Sequence, residues 1–197
     1  MAGTKKPVLS KAAQNIVNFY KSNNLLKMIN FTTYGMHISK TSFAKVAKAM
    51  EEGRIQIKAV RLAKAGEYRI KENTLVVNVK MLKKPGIPFY GSLVHEGVHA
   101  YQDLQATPMS TLGAEYMAYI AQSIYEIKAG AKYPAGHFAH QLHDYYTGKK
   151  VNFTGEDLLN AFSQVFEGIM DDHGSALYSA NGDYQFDGAP AKKQGKK

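Results

Sequence analysis

Residues 92–101 read Ser92-Leu93-Val94-His95-Glu96-Gly97-Val98-His99-Ala100-Tyr101 and contain the pattern HExxH. Residues four apart in a helix lie one above the other, so His95 and His99 share one face. Two imidazoles placed in this way can both bind one Zn²⁺ ion, at about 2.0–2.1 Å each. Glu96 adjoins the first histidine and can reach a water molecule beside the metal. The stretch therefore predicts a helix with two zinc ligands and, in Glu96, a general base.

The surroundings of the motif argue against a coincidental pair of surface histidines, which is the alternative. The flanking positions 93, 94, 97, 98, 100 and 101 are all uncharged. We therefore expect this helix to be buried on most sides. Buried imidazole and carboxylate groups are costly without a partner, and a metal ion would supply one.

Glu115 is the predicted third ligand, because a catalytic zinc site has three protein ligands and one open position. It lies near the start of a helix predicted over 111–129. The reversal at Thr107-Pro108 returns that helix to the first one, and the small Ala118 allows the two to approach closely. The alternative is that Glu115 only stabilises the helix N-terminus through its charge.

Asp103 is a rival ligand, one turn beyond His99 on the same helix. That position better suits a carboxylate that orients a histidine, or a surface residue. A third histidine in the pattern HExxHxxGxxH is excluded, because the matching positions hold Gln102 and Gln105.

A second polar group offers a donor for the oxyanion that forms when water attacks a carbonyl. Its members are His137, His140, His143, Tyr133 and Tyr145. The three histidines could instead form a second metal site, or be incidental residues of a polar helix. His173 is a further candidate ligand if Glu115 is not one.

The remaining sequence predicts an α+β fold. Apolar residues recur with helical spacing in some segments and alternate in others. The predicted helices span 10–29, 41–52, 89–105, 111–129 and 155–170, the predicted strands span 54–60, 67–70 and 75–81, and a turn is predicted over 30–35. The strands should form a small, mostly antiparallel sheet packed on the helices.

We predict one domain over 1–189, in three parts. They are a helical N-terminal part (1–53), the sheet with the zinc-site helices (54–130) and a helical C-terminal part (131–189). The last residues, 190–197, are rich in lysine and poor in apolar side chains, which predicts a disordered basic tail.

The net charge of +9 is concentrated in the N-terminal half, where residues 1–84 hold 17 basic and 4 acidic side chains. Only three of the 25 basic residues are arginine, the residue best suited to reading base edges. We therefore expect no sequence-specific nucleic-acid binding. The basic half either keeps the protein soluble or docks to an acidic partner or an anionic surface.

The composition excludes several other classes of protein. The chain has no cysteine, so disulfide scaffolds, cysteine-ligated zinc and thiol nucleophiles are excluded. No apolar run approaches the roughly 20 residues of a membrane span, and we expect no transmembrane segment. The first residues lack the apolar segment of a secretory signal. The expected location is cytoplasmic at synthesis, with any export by a non-classical secretion system.

Residues 54–130 resemble the zincin metallopeptidases of gluzincin type, through His95-Glu96-Gly97-Val98-His99 and the later helix with Glu115 and Ala118. The compact arrangement HExxHAYQDL followed by AEYMAYIAQ is similar to small metallopeptidase domains of bacterial secreted effectors and polymorphic toxins. The spacing to Glu115 is shorter than in larger gluzincins. The resemblance implies a zincin-like fold in which a peptide substrate pairs with an open strand edge, here residues 75–81.

The resulting expectation is a peptidase with one Zn²⁺ per chain, acting on a peptide or protein substrate. Two alternatives stay open. One is an inactive zincin-like scaffold that docks to an acidic partner or surface. The other is an amidase that acts on cell-wall peptides, since the motif activates water in the same way in both classes of hydrolase.

Overall fold

The computed structural model describes residues 8–148, 163–164, 183–184 and 188, which form an α+β fold. The helices are α1 (Lys11–Ser22), α2 (Lys40–Glu51), α3 (Val79–Lys83), α4 (Ile87–Gln105), α5 (Thr111–Lys128) and α6 (Phe138–Tyr146). The strands are β1 (Asn30–Thr33), β2 (Met36–Ser39), β3 (Gln56–Val60), β4 (Gly66–Arg69), β5 (Thr74–Asn78), β6 (Met109–Ser110) and β7 (Asp183–Tyr184).

The largest sheet has the order β3–β5–β4 and is mixed. Strand β4 runs antiparallel to β5, with Tyr68 opposite Leu75, whereas β3 runs parallel to β5, with Ile57 opposite Leu75. The sheet is therefore mixed, and not mostly antiparallel as expected. The strands β3 and β4 follow each other in the chain but do not pair, because β5 lies between them. The two-stranded pairs β1–β2 and β6–β7 are antiparallel.

Strand β5 is not the open edge expected over residues 75–81. It ends at Asn78, whose side chain accepts a hydrogen bond from the Lys80 N–H and thereby starts α3. All five residues of β5 are buried, as in a strand with neighbours on both sides. The edges are β3 and β4, and β4 is the one that lies against α4.

The N-terminal part differs from the sequence prediction in two places. The helix predicted over 10–29 is interrupted at Asn23, which has an extended backbone and caps a separate 3₁₀ turn over Asn24–Met28. The turn predicted over 30–35 is the tip of the hairpin β1–β2. Tyr34 and Gly35 both have positive φ, 48° and 71°, as in a type I′ turn.

Helix α4 runs through the core with other helices on both sides. On one side, the Tyr20 hydroxyl of α1 donates a hydrogen bond to the Leu93 carbonyl oxygen at 2.5 Å. A Cβ atom on Gly97 would lie 2.8 Å from the Tyr20 ring, so this glycine makes room for the Tyr20 side chain against α4. On the other side lies α5, whose small residues Ala114, Ala118 and Ala121 are fully buried.

Some sequence predictions fall beyond the described residues. These are most of the helix over 155–170, His173 and the basic tail over 190–197. Among the residues that the structure does describe, none of the helices combines the length and the apolar character that a membrane span needs.

Candidate metal centre

The site lies between α4 and α5, on the faces that they turn towards each other. One stripe on α4 consists of Gly91, His95, His99 and Gln102, and the stripe on α5 consists of Glu115, Tyr119, Gln122 and Glu126. Successive members are three or four residues apart, so each stripe occupies one helix face. The two stripes meet in opposite order, because His99 contacts Glu115 whereas His95 also reaches Gln122.

The three residues predicted as ligands come together at the centre of these stripes. His95 Nε2 lies 3.1 Å from Glu115 Oε2, His99 Nε2 lies 3.3 Å from Glu115 Oε1, and the two Nε2 atoms are 3.2 Å apart. A tetrahedral ion with ligands at about 2.0–2.1 Å would separate them by about 3.3–3.4 Å. The cluster could therefore hold a metal ion with little rearrangement.

Glu115 does more than complement the start of α5. The Ser110 side chain caps that end by accepting a hydrogen bond from the Gly113 N–H. The Glu115 carboxylate instead contacts both histidines, and the residue is 1% exposed. Its position therefore matches the predicted ligand better than the alternative of a charge that only stabilises the helix.

Two glutamines fix the orientation of the histidine rings. His95 Nδ1 lies 3.1 Å from the amide oxygen of Gln122, and His99 Nδ1 lies 3.0 Å from the amide oxygen of Gln102. Each glutamine NH₂ group is used elsewhere, on Glu126 and on the Ala114 carbonyl oxygen. In each glutamine the amide oxygen is therefore the atom that faces the histidine. Because this oxygen can only accept, the imidazole proton is on Nδ1 and the lone pair is on Nε2.

This arrangement brings three acceptor groups together. Both Nε2 lone pairs and the Glu115 carboxylate point to the same place, so the site is suited to binding a cation. Burial lowers the pKa of His99, but the adjoining Glu115 carboxylate outweighs burial and raises that pKa to about 9. Burial likewise raises the pKa of Glu115, but the neighbouring histidines lower it well below its usual range. A proton can thus fill the role that the donor set offers to a metal ion.

Glu96 is held by the edge strand. The Tyr68 N–H of β4 donates a hydrogen bond to Glu96 Oε2 at 2.7 Å. Within the part of the chain that the structure describes, Glu96 Oε1 has no hydrogen-bond partner. The residue is buried but lines the cleft beside the histidines. One carboxylate oxygen is therefore fixed and the other is available to exchange a proton.

An open cleft of about 260 Å³ lies over the three clustered residues. Its walls are α4, α5, β4 and the segment that leads into β4. The polar side chains that line it, apart from the cluster and Glu96, are Lys64, Glu67, Tyr68, Ser92, Tyr119 and Gln122. The Tyr119 ring stands nearly perpendicular to the His95 ring, with centroids 4.7 Å apart.

Comparisons with protein-family models, curated proteins and solved structures find no significant match to this chain. What the site can do must therefore be inferred from its own chemistry.

The structure places the predicted oxyanion donors away from this cleft, whose lining includes none of the five. The Tyr133 hydroxyl donates a hydrogen bond to Glu126, the His137 side chain caps α6, and His140 faces the Tyr133 carbonyl oxygen. His143 is buried beside Asp144, and Tyr145 is an exposed residue of α6. Their regular spacing reflects the short helix α6.

Asp103 is fully buried, which excludes the prediction of a surface residue. Its Oδ2 atom accepts a hydrogen bond from the Tyr68 hydroxyl at 2.6 Å. The same tyrosine donates its backbone N–H to Glu96. Asp103 therefore fixes the strand that positions the candidate base.

The sequence analysis missed Tyr119, Gln122 and Gln102 as site residues. A signal was available for each of them. Tyr119 and Gln122 lie four and seven residues after Glu115, and Gln102 lies three after His99. Those spacings place them on the faces that already held the predicted ligands.

Proposed function

We propose that the chain is a zinc-dependent, zincin-like peptidase. The observation that carries the proposal is the triangle of His95 Nε2, His99 Nε2 and Glu115 oxygens, with the lone pairs turned inward and an open cleft on one side. Two imidazoles and one carboxylate are a usual ligand set for catalytic zinc. When bound, Zn²⁺ would lower the pKa of a water molecule and polarise a substrate carbonyl group.

Glu96 would be the general base. Its Oε1 atom would take a proton from the attacking water and later give it to the leaving amine. The hydrogen bond from the Tyr68 N–H to Oε2 keeps the carboxylate in place during both transfers. The formal charge of the loaded site, +1 from the ion and one carboxylate, suits the negative charge that develops on the carbonyl oxygen.

The substrate would bind as an extended peptide along β4. This strand is an edge of its sheet and lines the cleft, and an edge strand can pair with an added strand. A peptide bound there would compete with Glu96 for the Tyr68 N–H. Gly66 lines the cleft, and a side chain there would contact Ser92 and Glu96. At the mouth of the cleft, Lys64 and Glu67 form an exposed ion pair that a charged substrate side chain could exchange for its own contacts.

Purified protein can test the function directly. We expect one zinc per chain and hydrolysis of a fluorogenic peptide library, both lost after removal of the metal with a chelator. Hydrolysis of purified peptidoglycan fragments alone would point to the cell-wall amidase. Zinc without any hydrolysis would favour a binding module, and a folded protein that takes up no zinc would overturn the proposal.

Tyr119 is the residue that we propose as donor to the oxyanion, because it combines a phenolic hydroxyl with a position beside His95 in the cleft. We expect Tyr119→Phe to lower kcat by about 10²-fold, the cost of one such donor, with little change in KM. Zinc content should stay at the wild-type level. The matched control is Tyr125→Phe, a buried tyrosine of the same helix that packs on Phe19 away from the cleft. Equal kcat values for the two variants would contradict this role.

Zinc binding should depend on pH through His99. Because its pKa is about 9 in the metal-free protein, zinc must displace a proton at lower pH. We expect the apparent affinity to rise about tenfold per pH unit from pH 7 towards 9 and then to level off. It can be measured by competition with a chelator of known pH dependence.

The stability of the metal-free protein should change in the opposite direction. The folded pKa of His99, about 9, lies above its ordinary value of 6.5. Its contribution to folding is therefore complete below about pH 6.5 and is lost as the pH rises through 9.

A zinc affinity that stays constant between pH 7 and 9 would exclude a protonated His99.

A further inference from the structure

A chain of buried polar groups continues from His95 beyond Gln122. The Gln122 NH₂ group donates a hydrogen bond to Glu126 Oε1 at 3.1 Å, and the Tyr133 hydroxyl donates one to Glu126 Oε2. Glu126 is only 4% exposed. The connection therefore runs from a buried carboxylate, through a neutral amide, to a histidine of the metal cluster.

The fold makes room for this carboxylate. A Cβ atom on Gly91 of α4 would overlap the Glu126 carboxyl group, so the absence of a side chain there creates the space it occupies. Burying a carboxylate is costly unless hydrogen bonds compensate. Burial also raises the pKa of Glu126, against the effect of the hydrogen bonds from Tyr133 and Gln122. An apolar residue would fill this position at lower cost, which suggests a role other than packing.

The second histidine, His99, is supported by a different residue, Gln102. Among the described residues, the NH₂ group of Gln102 faces neutral acceptors, namely the Ala114 carbonyl oxygen and the sulfur atoms of Met109 and Met117. The two histidines are thus supported differently. His95 is linked to a buried carboxylate, whereas His99 is held by an amide in an apolar setting.

We propose that Glu126, anchored by Tyr133, is a positioning residue that acts through Gln122 on His95. Its carboxylate can only accept, so it fixes the Gln122 amide with the NH₂ group turned away from His95 and the oxygen turned towards it. That orientation keeps the His95 proton on Nδ1 and the Nε2 lone pair in the cluster. Loss of the carboxylate would let the amide reverse and present NH₂ to Nδ1, which favours the tautomer that cannot bind a metal at Nε2. The inference rests on the proposed metal site.

Variants that change the polarity of this chain of buried polar groups test the inference. Glu126→Gln keeps the shape but removes the fixed acceptor, and we expect zinc affinity to fall about tenfold, within the range for partners of metal ligands. Gln122→Met removes the acceptor for His95 and should cost about 10–100-fold. The double variant Gln122→Glu with Glu126→Gln moves the carboxylate next to His95 without changing the charge of the chain. It should restore affinity to within a few-fold of wild type.

The readout is zinc affinity from chelator competition, together with the pH profile of kcat/KM and the melting temperature of the metal-free protein. The control is Ser123→Ala, a buried polar residue of α5 outside this chain of groups, which should bind zinc as the wild type does. In the double variant we also expect the acidic limb of the profile to move to higher pH, since a carboxylate on His95 makes the loaded site less positive.

The inference is overturned if Glu126→Gln binds zinc as tightly as wild type, or if the double variant binds no better than Glu126→Gln alone. A melting temperature that falls equally in both variants, with no recovery of affinity, assigns Glu126 to folding only. These outcomes presuppose zinc binding by the wild type. A wild-type protein that takes up no zinc would instead refute the proposed function.

Discussion

Glu96→Gln should abolish hydrolysis while zinc stays bound. Glutamine keeps an oxygen that can accept the Tyr68 N–H, so the local structure should survive. It cannot take up a proton from water, and we expect kcat/KM to fall about 10²–10⁴-fold, the usual contribution of a general base. Steady-state kinetics and metal analysis of the same sample measure both effects.

Glu67→Gln is the matched control for this variant. Glu67 also lines the cleft, but its carboxylate pairs with Lys64 and Arg69 at the surface, so we expect wild-type zinc content and a change in KM rather than kcat. If Glu96→Gln loses its zinc, Glu96 contributes to ligation and its assignment as general base is wrong.

Glu115→Gln should remove both zinc and activity. The carboxylate contacts both histidines and supplies the only negative charge in the cluster. We expect zinc affinity to fall by more than the about 10–100-fold that the loss of an outer partner costs. The variant should also lose the rise in zinc affinity between pH 7 and 9, because the pKa of His99 is raised by Glu115.

Asp103→Asn is the comparison for Glu115→Gln. Asp103 bonds to the Tyr68 hydroxyl and does not belong to the metal cluster, so zinc should stay bound. The neutral amide would accept that hydrogen bond more weakly than the carboxylate does. Its effect should fall on kcat, since Tyr68 positions Glu96. Zinc loss in Asp103→Asn together with zinc retention in Glu115→Gln would reverse the two assignments.

The sequence was sufficient to predict the centre of the site because the three residues there are close together in the chain. His95 and His99 are four residues apart on one helix, and a single short connection returns the chain to Glu115. Helical periodicity and one reversal are sufficient to place these three residues together. The bounds of α4 and α5 follow from the same periodicity, and they agree with the predicted spans to within two residues.

The order of the strands could not be predicted in this way. The segment 75–81 alternates like a strand with one exposed face, but Asn78 ends it. Its neighbour β4 is close in sequence, whereas β3 pairs with it from beyond β4, and the pattern does not show that longer-range pairing. The hairpin turn at Tyr34 was not predicted, because asparagine or glycine is usual at that position. The candidate oxyanion donors were sought among His137, His140, His143, Tyr133 and Tyr145. The residue that we propose for this role, Tyr119, lines the cleft on the same helix face as Glu115.

The antiparallel arrangement of α4 and α5 has a consequence for folding. His95, His99 and Glu115 belong to two successive helices, so an ion bound between them would cross-link a closed loop of about 20 residues. A cross-link in a loop of this length removes conformational freedom mainly from the unfolded chain. A bound metal would thus hold together two helices that are adjacent in sequence. This helical hairpin could assemble before β4 docks. The order of events in folding would then be ligand cluster first and candidate base second, since Glu96 acquires its partner only when Tyr68 arrives.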